Sequence, residues 1–175
     1  MVTRKYMARL FLFIATIYWG IWLGGYIFNA VMLVPLWSYN PPDSILSYFR
    51  VPHFLIYFFK WVNPWVFLAS LIAWLLTIKL DTGARFWLGR ATLIAWIMLP
   101  LKIWMIITIG GVVAATVGGN FAPDMMNTIE LWRKLNWLTI ATATVILTFH
   151  LLAILNFNNP RRTNERISKP HERRT

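Results

Sequence analysis

The sequence predicts an all-α fold: an integral membrane four-helix bundle with a short interfacial helical cap on its outer side. Three observations carry that prediction. Hydrophobic residues make up 58% of the 175 residues and charged residues only 13%, against about half and about a quarter in soluble domains; mean hydropathy is +0.57. Four apolar stretches match the ~20 residues a helix needs to cross the hydrocarbon. Lysine and arginine also segregate between alternate connections, as they do in multi-pass proteins. This composition excludes a water-soluble globular enzyme, and it excludes disorder outside a charged tail. With no cysteine in the chain, disulfides, thiolate metal sites, iron–sulfur clusters and a cysteine nucleophile are excluded too.

The four-span domain covers residues 1–155, with spans at about 10–33, 64–80, 91–117 and 137–155, and a basic tail follows at 156–175. The first span carries no charge and is too long for the apolar core of a signal peptide, so it is expected to stay as an anchor. Between the first two spans, Pro35, Pro41, Pro42, Pro52 and Pro64 break the chain. A turn at Asn40-Pro41-Pro42, a short interfacial helix and a helix entering the second span are predicted there. Trp37, Tyr39, Tyr48, Tyr57, Trp61 and Trp65 suit the headgroup level. The inner loop KLDTGARFWLGR reads as a tight turn. The second outer loop, GGNFAPDMMNTIELWRKLN, is polar, with a short helix from about Asp124.

Orientation follows from the cations. Arg4, Lys5, Arg9, Lys79, Arg85, Arg90 and six in the tail fall on one side; Arg50, Lys60, Arg133 and Lys134 fall on the other. Both termini are therefore expected in the cytoplasm, with the protein multi-pass in the plasma (inner) membrane. Most of the net charge of +11 is orientation, with some attraction to anionic membrane lipid. No nucleic-acid partner is implied, because no readout motif accompanies the charge.

Lys102 is the cation that orientation does not explain. It stands near the middle of the third span, about 15 Å from either surface, where a charged lysine costs at least about 2.5–3.5 kcal/mol, so it must be neutral, paired or in a wet cavity. No acidic residue lies within the predicted spans. Internal partners would be Tyr18, Thr16, Asn29 or carbonyls freed by Pro100. External ones would be an acidic ligand, a lipid phosphate or a carboxylate of another subunit. Small residues four apart, Gly20 with Gly24 and Gly111 with Ala115, mark helix-packing faces, either inside the bundle or against another subunit. Arg50, His53, Tyr57 and Lys60 share one face if their segment is helical; that face reads as an anion or headgroup site, or as the polar side of an interfacial helix. His53, His150 and His171 are too dispersed to share a metal, so no metal site is expected; His150 alone could serve as a single axial ligand, or be satisfied by a hydroxyl or carbonyl.

The segments GGYIFNAVMLVPLW, NPWVFLASL and GGNFAPDMMN, with LWRKLN opening the fourth span, resemble the anthrone oxygenase-like family of small four-span membrane proteins. The likeness covers residues 12–155 in layout. It is most specific in Val-x-x-Pro-x-Trp, the Asn120…Asn127 turn and Trp132-x-x-x-Asn136. It implies a lipophilic pocket within the bundle and Asn120, Asn127, Trp132 and Asn136 as matching residues. In some members it implies oxygenation of polycyclic phenols without an obvious metal. Where that family often carries a His and then an Arg after the motif, this chain has Trp137 and Thr139.

Two functions are therefore expected. One is an accessory or structural subunit of a larger membrane complex, together with other membrane subunits and holding a lipid, quinone or pigment. The other is an oxygenase-like membrane enzyme acting on a flat lipophilic substrate. The chain alone implies no cofactor.

Overall fold

A computed structural model describes residues 2–49, 54–80, 82–120 and 124–158, with side chains described from Thr3 and, after the first break, from Phe59. Among these residues the fold is all helix. The elements are α1 (Val2–Phe28), a π-helical turn (Asn29–Leu33), α2 (Val34–Ser38), α3 (Asp43–Phe49), α4 (Phe54–Thr77), α5 (Ala84–Val117) and α6 (Met125–Leu155). Four helical rods are long and apolar enough to span a membrane: 3–38, 59–77, 84–117 and 125–155. The protein is a multi-pass, four-span helical bundle.

Each rod is longer than its apolar core predicts. Hydrophobicity marks where lipid begins, whereas a helix ends only where the backbone is interrupted. The predicted short helix from Asp124 therefore continues unbroken into the fourth span, since no Gly or Pro lies between Met125 and Leu155. Pro64 and Pro100 sit inside α4 and α5 without ending them. Pro35 occupies the start of α2, where a missing N–H is tolerated.

Three layers of side chains fill the bundle. The central layer joins Trp19, Trp22, Tyr26, Phe67, Ala91, Ala95, Ala143 and Ile146. Ala8, Leu12, Ala73, Leu88 and Ala153 form the layer at the end where α1 begins and α6 finishes. Val34, Trp37, Ile45, Met125 and Ile129 form the cap layer. Trp37, one of the aromatics predicted at the headgroup level, lies buried edge-on against Trp132, 5.4 Å between centroids. The opposite end is closed by polar ties. Arg4 donates to the Leu75 and Leu76 carbonyls at 3.2 and 3.1 Å, and Thr82 donates to the Phe157 carbonyl at 2.7 Å.

The small-residue faces at Gly20, Gly24 and Gly111 are not contacts inside the bundle. A Cβ built on Gly20, Gly24 or Gly111 meets no atom within 4 Å, so these glycines do not pack against another helix of the bundle. Ala115 is half-buried one turn beyond Gly111. Close approach is made by alanines instead: Ala69 with Ala73 on α4 and Ala91 with Ala95 on α5 are buried at four-residue spacing. Methyl groups allow nearly the same approach while adding contact area.

Candidate functional site

Lys102 lies on the inner face of α5 and is 6% exposed. Its Nζ donates to Thr139 Oγ1 of α6 at 3.3 Å and stands 4.1 Å from the centroid of the Tyr26 ring of α1. The ring face offers a cation the negative lobe of its quadrupole. Tyr26 is held in place by Trp22 at 4.2 Å and Phe59 at 4.6 Å between centroids. The Thr139 hydroxyl passes its own hydrogen to the Leu135 carbonyl at 2.9 Å. Of the internal partners predicted for Lys102, neither Tyr18 nor Asn29 bonds it, and Thr16 donates to the Leu12 carbonyl at 2.8 Å. Thr139 and the Tyr26 ring take that place.

Two cavities meet at Lys102. The larger, about 360 Å³, lies between α4 and α5 and is walled by Trp22, Phe67, Leu71, Trp96, Leu99 and Ile103, with Asn63 and Lys102 as its polar groups. Its lip residues Pro64, Leu68, Trp96, Ile103 and Ile106 are exposed on the lipid-facing surface. The smaller, about 170 Å³, rises toward the cap past Tyr26, Asn29, Tyr48, Phe59, Ile109 and Trp132, and it too is lined by Asn63 and Lys102. Burial raises the Tyr48 hydroxyl above its ordinary pKa, so it stays protonated at the cap.

Asn63 is oriented by chemistry. The Trp22 indole N–H can only donate, and it donates to Asn63 Oδ1. The Asn63 NH₂ is thereby the group left free for the cavities. Asn29 reaches the upper cavity from the π-helical turn, a wide turn that recurs at functional sites. The sequence carried a signal for both: each is a lone amide in an apolar run, and Asn63 directly precedes Pro64.

Of the residues predicted to contact a ligand, Lys102 and Trp132 share the upper cavity. Asn136 lies one turn from both Trp132 and Thr139, is 1% exposed, and neither its Oδ1 nor its Nδ2 has a hydrogen-bond partner. Asn127 lines a separate cleft with Glu130, Arg133 and Trp137, and Asn120 is exposed at the end of α5. The four asparagine and tryptophan positions therefore do not form one site. Arg50 and His53 lie outside the described residues, as do the Tyr57 side chain and the tail from residue 159.

His150 is 0% exposed and uses both ring nitrogens. Nδ1 donates to the Ile146 carbonyl at 2.9 Å, and Nε2 faces the Ser70 hydroxyl at 3.1 Å. An axial-ligand role would require the Ser70 contact to break. Among the described residues no group of three His, Asp or Glu is placed to hold a metal.

No family model matches this chain, and neither a curated protein nor a solved structure does.

Proposed function

We propose that the protein holds a lipophilic ligand within the bilayer, its polar end at Lys102, and works as an accessory subunit of a larger membrane assembly. One observation carries the reading: a largely apolar cavity, open toward lipid between α4 and α5, ends at a buried lysine. Apolar walls with a few convergent polar groups are the usual form of a ligand site. A lipid, a quinone and a pigment all meet that description. The accessory role draws support from Gly20, Gly24, Gly110 and Gly111, which present bare backbone outward with open space beyond them, the surface that permits close helix–helix approach. Both termini are assigned to the cytoplasm on the cation asymmetry.

Purification in mild detergent, solvent extraction and mass spectrometry test the ligand reading. About one equivalent of a lipophilic compound is expected, and a protein that neither carries nor takes up such a compound overturns it. Mass measurement of the same sample tests the assembly: a clean monomer removes the accessory role.

A second reading, the oxygenase-like enzyme, is favoured by one feature. Trp22, Phe67 and Trp96 give the cavity aromatic walls suited to a fused ring, and Lys102 would meet a phenolate oxygen. Thr139 stands where the resembled family often carries Arg, and here Lys102 brings a cation to Thr139 from α5. Oxygen uptake with a tricyclic phenol separates the two readings: none is expected of a holder, and catalytic uptake would establish the enzyme.

A further inference from the structure

We infer that the ligand is a single-chain amphiphile with an anionic head, a carboxylate or a phosphate monoester. Its head meets Lys102 and the Asn63 amide, and its chain leaves the bundle between α4 and α5. The inference rests on the ligand-holding reading and specifies its chemistry.

The charge of the head follows from the donors. Lys102 has three N–H groups and, among the described residues, one hydrogen-bond acceptor, Thr139 Oγ1 at 3.3 Å, plus the Tyr26 ring face. Asn63 spends its oxygen on the Trp22 indole, so its remaining polar group is also a donor. Both polar side chains that line both cavities thus offer hydrogens and call for acceptors. A neutral carbonyl would supply acceptors but no counter-charge for a protonated Lys102. An anion supplies both, and hydrogen bonds between ionised groups are the stronger kind. Among the described residues the carboxylates are elsewhere: Glu130 pairs with Lys134 at 2.8 Å, while Asp43 and Asp124 sit at the start of α3 and just before α6.

The form of the tail follows from the cavity. At about 360 Å³ it lies near the lower end of small-molecule sites, which suits one chain or a slim ring system and not two acyl chains. Its exit is flanked by exposed Leu68, Trp96, Ile103 and Ile106, so the rest of the chain continues into lipid. α4 and α5 are the least closely packed of the main helix pairs, which leaves that passage. Pro64, which lines it, has no backbone N–H to donate there.

Native mass spectrometry of the full chain in a neutral detergent tests this with three probes of equal length: stearate, octadecyl phosphate and octadecanol. The expected result is a saturable one-to-one adduct with one or both anions, about tenfold or more tighter than with the alcohol, the scale of one hydrogen bond to a charged group. The tighter anion identifies the head. Lys102→Met should abolish the preference and retain the alcohol. Asn63→Asp guards against misfolding of that variant: its carboxylate still accepts the Trp22 N–H while giving Lys102 an internal counter-ion, and the preference should again vanish. Equal affinity for alcohol and anions, or a preference that survives both substitutions, overturns the inference while leaving the ligand reading intact. Failure of all three probes to bind also overturns the inference, and the solvent extraction described above then decides the ligand reading.

Discussion

The Ser70 hydroxyl accepts the Trp19 indole N–H at 2.7 Å, faces His150 Nε2 at 3.1 Å and lies 3.0 Å from the Val66 carbonyl. One small side chain thereby links α1, α4 and α6 through groups that find no water in the bundle. With His150 Nδ1–H given to the Ile146 carbonyl, the neutral ring accepts at Nε2, so Ser70 serves as its donor. Ser70→Ala should orphan the indole N–H and the imidazole Nε2 together and lower stability by about 1–3 kcal/mol, read as a fall in thermal unfolding temperature in detergent. Asn136 presents the opposite case. Its amide is buried without a partner, so Asn136→Leu, with the same branching, should raise the unfolding temperature, since a buried unpaired polar group costs about 1–3 kcal/mol. A loss of stability would show that the amide is satisfied by a bound group. Sequence alone flagged Lys102, because a charge in an apolar run is conspicuous. It left the partner open, because Thr139 lies 37 residues away and only packing brings α5 and α6 together there.

At the scale of the element, the π-helical turn does the least expected work. One extra residue in a helix rotates everything beyond it by about 100°. Here that rotation turns Val34 and Trp37 toward Ile45, Met125 and Ile129, while Asn29 faces the upper cavity. Deleting Val31 should restore ordinary α geometry and carry Val34 and Trp37 out of the cap layer. Hydrogen exchange should then quicken across residues 34–49 and stay unchanged across 8–19. Span centres were legible in the apolar runs; span ends were not. The polar stretch from Met125 to Asn136 reads by hydropathy as an outer connection with its own short helix, yet it continues the α6 helix because nothing in its backbone breaks it. The small-residue pattern left its direction open for a related reason. Gly20 and Gly24 have the right spacing, but the bundle turns that face outward, and Ala91 with Ala95 faces inward instead.

For the whole molecule, the chain's lack of cysteine makes orientation directly measurable. In the proposed topology, single cysteines at Thr3 and Asn158 should resist a membrane-impermeant maleimide applied to intact cells, and one at Asn120 should react. The reverse pattern would invert the protein. Four-span helical architecture was decided by the sequence itself, because the cost of placing unpaired backbone in hydrocarbon leaves long apolar segments no structure but the helix. The sequence also determined that Lys102 would lie deep within a span, since its neighbours along α5 are apolar on both sides. Only the tertiary structure decided what surrounds it: the Tyr26 face, the Thr139 hydroxyl, and the Asn63 amide turned by Trp22 to present its hydrogens. Those contacts depend on how each helix is rotated about its axis. In a bilayer, hydropathy sets insertion but is nearly silent on rotation, because lipid and a neighbouring helix are equally apolar. Rotation is fixed by packing and by the few polar ties between helices.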